Sequence, residues 1–125
     1  MLQSLTPMLE VQNMNQAISF YEEKLEFKCV GKQIDTWARL EKDQVSIMLT
    51  ERYSQKEHLY PVMTGSIYLY TDEIDLLWDK LKSSVNIAYP IEDFDYGMRE
   101  FTFYDPNGYL IQLGQAGRIK ASGLD

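Results

Sequence analysis

At 125 residues the chain is long enough for a single domain with a sizeable core. Its content of 45% hydrophobic and 25% charged residues is ordinary for a globular protein, and no apolar run is long enough to span a bilayer. The 19 acidic and 12 basic residues give a net charge of −7, which argues against nucleic acid as a partner and fits either a cationic ligand or simple solubility.

The first half of the chain predicts one strand, one helix and three further strands. The strand covers residues 5–11, and Asn13 then caps a helix that reaches about Leu25. The helix is indicated by one continuous apolar stripe, formed by Met14, Ala17, Ile18, Tyr21 and Leu25. The three strands follow at 27–31, 36–40 and 45–50. We therefore predict a first βαβββ module over about 5–50.

The pattern starts again after a polar linker at about 51–65 that contains Pro61. The second module, about 66–115, predicts a strand at 66–71, a helix at 72–83 and strands near 87–89, 99–104 and 109–114, before a tail at 116–125. Apolar positions of the first strand and helix recur 60 residues later, as with Leu9 and Leu69. This recurrence indicates an internal duplication.

Each helix has one apolar stripe and so covers one sheet face, which leaves the other face free. We predict an α+β fold in which the two modules form a curled mixed sheet around a cavity, with the helices on the outer face. The residues that alternation assigns to the cavity are mixed in polarity, which favours a ligand surface over a core. They are Thr6, Met8, Glu10, Ser46, Met48, Thr50, Ser66, Tyr68, Tyr70, Leu110, Gln112 and Gly114.

Two stretches resemble the glyoxalase/bleomycin-resistance/dioxygenase (vicinal oxygen chelate) superfamily. The first is Val-Gln-Asn-Met at 11–14, followed by Phe-Tyr-Glu-Glu-Lys-Leu-Glu-Phe at 20–27. The second is Tyr-Gly-Met-Arg-Glu-Phe at 96–101, followed by the tight turn Asp-Pro-Asn-Gly at 105–108. This second stretch is similar to the bleomycin-resistance branch, and the resemblance covers residues 5 to about 115.

Many enzymes of this superfamily bind a divalent metal through His, Glu or Gln on the first and last strands of each module. The resemblance carries those four positions to Thr6, Met48, Ser66 and Gln112, of which only Gln112 has a side chain able to ligate a metal, and only weakly. A stable site needs three or four good donors. His58, the single histidine, lies in the linker and is interpreted as a surface residue. We therefore expect no metal, no cofactor and no catalytic residue of the family type.

The resemblance implies a metal-independent protein that binds a small, partly aromatic and cationic molecule, as antibiotic-sequestering members do. In those members an aromatic residue of an aromatic-Ala-x-aliphatic motif lines the groove, and this chain has Trp37-Ala38-Arg39-Leu40 there. An indole offers a stacking surface, although a core role for Trp37 stays open. Such members are dimers, so we expect a homodimer. The alternatives are a lyase, isomerase or dioxygenase-type enzyme with a non-standard site, and a regulatory module that binds another protein.

Several further candidates stay open between two roles. Tyr68 and Tyr70 line the cavity or form a structural pair. Glu10 and Glu100 are candidates for acid/base residues or for anchors of a cationic ligand, and the alternative is a carboxylate at a solvated strand end. The sequence leaves the facing of residues 99–104, and so of Glu100, undetermined. The full predicted ligand-binding set is Glu10, Trp37, Arg39, Met48, Tyr68, Tyr70, Glu100 and Gln112.

The compartment is predicted from two observations. The first seven residues lack the basic and apolar regions of a signal peptide. Cys29 is the single cysteine and has no internal partner for a disulfide. Both favour a reducing cytosol.

Overall fold

The computed structural model describes residues 1–51 and 60–117. The chain divides into two compact units, Met1–Val62 with Pro106–Gly108, and Met63–Asp105 with Tyr109–Asp125. His58 and most of the predicted tail lie outside the described residues. The expectation of a single domain stays a prediction.

The first unit contains one βαβββ module. Its elements are β1 (Met8–Val11), α1 (Met14–Leu25), β2 (Lys28–Gln33), β3 (Trp37–Lys42) and β4 (Val45–Glu51). The strands form one open sheet in the order β1-β4-β3-β2, in which β1 runs parallel to β4 and the other pairs are antiparallel.

Helix α1 begins and ends where the sequence predicts. The Asn13 side chain accepts a hydrogen bond from the Gln16 backbone N–H at 2.9 Å, which satisfies one of the unpaired donors of the first turn. The helix ends as Glu26 adopts a left-handed conformation with φ of 62°. All five predicted stripe residues are buried. The stripe therefore covers the buried side of the sheet, which includes Leu9 and Leu49.

The second unit repeats this arrangement. Its elements are β5 (Ile67–Tyr70), α2 (Ile74–Leu81), β6 (Asn86–Asp93), β7 (Met98–Tyr104) and β8 (Leu110–Ala116). The sheet order is β5-β8-β7-β6, with β5 parallel to β8. The predicted α+β fold with two βαβββ modules is confirmed, and each sheet is open at both edges.

Helix α2 packs on β7 and β8 through aromatic and aliphatic contacts. The Trp78 ring lies edge-on against Phe101, with ring centroids 5.1 Å apart, and Ile74 and Leu81 are buried. The helix has no side-chain cap of its own, and the Ile74 N–H instead donates to the Gln115 side chain of β8 at 2.9 Å. In the described part of the chain, neither helix is long and apolar enough to cross a membrane.

Most boundaries differ from the sequence prediction by a few residues, and three of the differences have a local reason. Strand β1 starts at Met8 rather than residue 5. The Pro7 carbonyl oxygen accepts a hydrogen bond from the Met48 N–H, but Pro7 has no N–H of its own with which to continue the strand pairing. Helix α2 is shorter than predicted, because the Thr71 hydroxyl accepts from the Glu73 N–H and holds that residue outside the helix. Strand β6 continues through Pro90 because it is an edge strand, where a missing N–H is tolerated.

Candidate functional site

Each sheet has a helix-covered face and a free face, and the strand registers assign residues to them. The alternation predicted from the sequence is confirmed on β4 and β8, where Ile47, Leu49, Ile111 and Leu113 are buried. On β7, the facing that the sequence left open is resolved. Phe101 lies under α2, whereas residues 100 and 102 share the opposite face with Gln112.

The free face of the first unit brings together four of the predicted ligand residues. Trp37 is half-buried, and its indole N–H donates to the Met48 sulfur at 3.3 Å. Arg39 pairs with Met48 across the strands, while its guanidinium contacts Glu41 on the same strand at 3.2 Å. Glu10 lies on the same face, since its backbone and that of Trp37 flank the same residue of β4. The indole is thus held in place by the sheet, and Arg39 is already paired.

The free face of the second unit contains a buried carboxylate that accepts two phenolic hydroxyls. Glu100 is only 4% exposed. The Tyr68 hydroxyl donates to its Oε2 atom, and the Tyr96 hydroxyl donates to Oε1 at 2.7 Å. The Tyr68 ring in turn contacts the Tyr70 ring, with centroids 4.9 Å apart. We call these four residues, Tyr68, Tyr70, Tyr96 and Glu100, the tyrosine–carboxylate cluster.

The surroundings of Tyr68 and Tyr96 keep these two phenols of the cluster protonated. Burial, the hydrogen bond to Glu100 and the charge of Glu100 raise the pKa of Tyr68. The hydrogen bond to Glu100, with burial and charge, raises the pKa of Tyr96 to about 12. Among the described residues, no lysine or arginine pairs with Glu100. The two hydroxyls are therefore fixed as donors, and no cationic side chain of the described residues lies in an ion pair with the carboxylate.

Gly114 makes the contact between Tyr68 and Glu100 sterically possible. It pairs with Tyr70 on one side and with Glu100 on the other. A Cβ atom at Gly114 would overlap the Tyr68 hydroxyl and lie 2.6 Å from Cζ of that ring. The Tyr68 phenol thus fills the space that a side chain at position 114 would take.

Sequence reasoning placed Tyr68, Tyr70 and Glu100 in the predicted set but missed Tyr96. Tyr96 lies in the turn between β6 and β7, where the backbone bonds between Phe94 and Met98 and between Gly97 and Phe94 fold the chain back. Periodicity does not determine side-chain direction in such a turn. The one signal in the sequence was that Tyr96 lies four residues before Glu100 and directly before Gly97, which favours a turn.

The four positions that the family uses for metal do not fit a metal here. The Met48 thioether accepts the indole N–H, and the Ser66 hydroxyl donates to the Gln112 side-chain oxygen at 2.6 Å. Thr6 supplies only a hydroxyl. Divalent metals in such sites need several imidazole or carboxylate ligands. Over residues 1–51 and 60–117, no group of three or more His, Cys, Asp and Glu residues is placed to hold a metal ion.

A separate polar pocket of about 360 Å³ lies at the start of α1 in the first unit. None of the eight predicted ligand residues lines it. Its lining residues are Val11, Gln12, Asn13, Met14, Asn15, Asp35 and Glu51.

Comparison with known proteins identifies the fold and the family. A superfamily protein from Sphaerobacter thermophilus is 23% identical with a TM-score of 0.76, covering 91% of this chain and 98% of that one. A lactoylglutathione lyase from Agrobacterium tumefaciens is 15% identical with a TM-score of 0.73, covering 91% and 94%. TioX from Micromonospora sp. ML1 is 14% identical with a TM-score of 0.74, covering 91% and 99%. These identities establish a shared fold alone.

The family is established by the match of the sequence to a family model. The comparison with curated proteins finds no match. The family model described as Glyoxalase/Bleomycin resistance protein/Dioxygenase superfamily matches residues 5–113, which is most of the chain. The chain therefore belongs to the Glyoxalase/Bleomycin resistance protein/Dioxygenase superfamily.

Proposed function

We propose that this protein binds a small molecule with a cationic and an aromatic part, without a metal, and that Glu100 accepts the cationic part. The observation that carries the proposal is that Glu100 is 4% exposed and has no described cation beside it. Removing a carboxylate from water is costly unless charge and hydrogen bonds compensate. The two phenols supply hydrogen bonds, and a ligand would supply the opposite charge.

The surroundings of Glu100 support an aromatic and cationic ligand. Tyr70 and Tyr96 are 78% and 65% exposed, so each presents a ring surface for stacking. The net charge of −7 raises the local concentration of positive solutes. Because residues 96–113 resemble the bleomycin-resistance branch, we include antibiotic-like molecules among the proposed ligands.

We also propose that Trp37 stacks on the aromatic part of a ligand at the free face of the first unit. Its support is the fixed indole, half-buried and anchored on Met48. Replacement of Trp37 by alanine should weaken binding of an aromatic probe, while Trp37→Phe should retain most of it. Equal affinity in wild type and Trp37→Ala would leave the indole with a structural role only.

Calorimetric titration of the chelator-treated full chain tests the cation site. Benzylammonium and benzyltrimethylammonium carry a charge, and benzyl alcohol is their neutral counterpart. We expect the cations to bind about ten-fold more tightly than the alcohol, and Glu100→Gln to remove that difference. Asp72→Asn is the control, because it removes an exposed charge of the second unit that lies outside the cluster. If no cation binds better than the alcohol, the proposal fails.

A second candidate is a lyase or isomerase that uses a carboxylate alone, which the burial of Glu100 favours. One structural neighbour is named a lactoylglutathione lyase, so lactoylglutathione is a natural first substrate to assay. Turnover by the metal-free wild type that is lost in Glu100→Gln, with Glu10→Gln as the second variant, would replace binding by catalysis as the function.

We propose further that the protein acts as a homodimer, as the resemblance to antibiotic-sequestering members suggests. Sedimentation velocity at several protein concentrations tests this proposal directly. A single species of twice the chain mass supports it, and a monomer throughout would overturn it.

A further inference from the structure

We infer that the cationic group recognised at Glu100 is an N-alkylated ammonium rather than a primary ammonium or a guanidinium. The inference rests on the proposed function and specifies its ligand class. Two features support it: both oxygens of Glu100 accept a hydrogen bond from a tyrosine, and the exposed surface of the cluster is aromatic.

Both oxygens of Glu100 already accept a hydrogen bond. Tyr68 occupies Oε2 and Tyr96 occupies Oε1. A guanidinium binds a carboxylate best through two parallel N–H donors, one to each oxygen, and a primary ammonium needs up to three acceptors. With 4% of Glu100 exposed, little room is left for such donors. A second lone pair remains on each oxygen, but burial leaves it poorly accessible to the several N–H donors of either cation.

The charge of a carboxylate is not cancelled by these hydrogen bonds, because phenolic hydroxyls are neutral donors. It acts through space on any cation nearby, without requiring a hydrogen bond. An alkylated ammonium matches this requirement, because it carries a full charge and few or no N–H donors. The geometry therefore favours a cation that carries a full charge but few N–H hydrogen-bond donors.

The exposed part of the cluster is aromatic. Tyr70 is 78% exposed and lies beside the Tyr68 ring. Tyr96 is 65% exposed, and its ring stacks on that of Phe94 with centroids 5.5 Å apart and an interplanar angle of 12°. Tyrosine faces attract cations through the ring quadrupole, and they recognise methylated ammonium groups in particular. Two presented rings beside one buried carboxylate form a site for a methylated cation.

A methylation series on one benzyl scaffold tests the inference in the full chain. The probes are benzylammonium, its mono-, di- and trimethyl forms, benzylguanidinium and the neutral benzyl alcohol. We expect affinity to rise with methylation, so that benzyltrimethylammonium binds about ten-fold more tightly than benzylammonium. Tyr70→Ala should flatten this rise, whereas Tyr60→Ala, which removes an exposed tyrosine of the first unit, should not.

The outcomes separate this inference from the proposed function. If benzylammonium or benzylguanidinium binds most tightly, and more tightly than benzyl alcohol, the inference is overturned while cation binding stands. If no cation exceeds benzyl alcohol, both are overturned. Far-ultraviolet circular dichroism of each variant confirms folding, and Tyr70→Phe, which keeps the ring, should retain the methylation preference.

Discussion

The two units place different chemistry at matching positions of the same βαβββ module. In the first unit, Thr50 of β4 pairs with Glu10 and Trp37. In the second unit, Gly114 of β8 pairs with Tyr70 and Glu100. Trp37 and Glu100 therefore occupy equivalent positions, one presenting an indole and the other a carboxylate.

The helix-covered faces differ much less between the two units. The pair Ala38–Leu49 corresponds to Phe101–Leu113 by register, and all four residues are buried and apolar. Burial under a helix demands apolar side chains, whereas a free face imposes no such demand. The two modules thus share the packing pattern of their covered faces and differ in the chemistry of their free faces.

Substitution of Gly114 should have the largest effect, because it removes the feature that distinguishes the second free face. Gly114→Ala forces the Tyr68 ring away from Glu100 and should lower the free energy of unfolding by about 2 kcal/mol. Chemical denaturation measures this change. Gly65→Ala is the matched control, because no atom lies within 4 Å of a Cβ there. Equal stability of the two variants would contradict the close approach of Tyr68.

Removal of a single hydroxyl should have a somewhat smaller effect. Tyr68→Phe leaves one Glu100 oxygen without its phenol, and we expect a loss of about 1.5 kcal/mol, typical of a hydrogen bond to a charged group. Tyr70→Phe removes a hydroxyl from an exposed neighbouring ring and should change stability by less than about 0.5 kcal/mol. Urea denaturation of both variants gives the comparison, and a larger loss in Tyr70→Phe would contradict it.

Alkaline pH should weaken the second unit through the same hydroxyls. The pKa of Tyr68 and of Tyr96 is raised in the folded protein above the ordinary value of 10.0, for Tyr96 to about 12. The folded state thus retains protons that the unfolded state loses, so the contribution is complete below pH 10 and declines as pH rises through the folded values. Spectrophotometric tyrosine titration should show two late-ionising tyrosines in wild type. Glu100→Gln should bring both to lower pH, and unchanged late ionisation would sink this explanation.

Ion pairs should contribute least, and unequally between the units. Arg99 joins β7 to α2 and β6 through Asp75 at 2.8 Å and Asp93 at 3.2 Å, so Arg99→Ala should cost about 0.5 to 1 kcal/mol. Within residues 1–51 and 60–117, Arg39 forms an ion pair only with its strand neighbour Glu41, and Arg39→Ala should be close to neutral. Thermal denaturation of both variants in low and high salt compares their losses of stability. A larger salt-dependent loss in Arg39→Ala than in Arg99→Ala would contradict this expectation.

Much of the fold follows from the sequence, because periodicity and capping act locally. The stripe from Met14 to Leu25 and the cap at Asn13 determine α1, and alternation assigns Met48 and Gln112 to free faces. The strand predicted near 87–89 stops before Pro90, whereas β6 runs through this proline, which is tolerated because the strand lies at a sheet edge. That edge position is a property of the assembled sheet.

The candidate site was only partly predictable for a similar reason. Alternation placed Tyr68 and Tyr70 correctly, but the meeting of Tyr68 with Glu100 joins residues 32 positions apart. It depends on β8 lying between β5 and β7 and on the missing side chain of Gly114. Tyr96 reaches the carboxylate through a turn whose shape no periodic pattern encodes.

The most direct test of the central claim is an NMR titration of the full chain with benzyltrimethylammonium, in wild type and in Glu100→Gln. We expect saturable chemical-shift changes at Tyr68, Tyr70, Tyr96 and Glu100, and their loss in the variant. Saturable shifts that persist in Glu100→Gln with the same affinity, or that spare all four residues, would contradict cation binding at the tyrosine–carboxylate cluster.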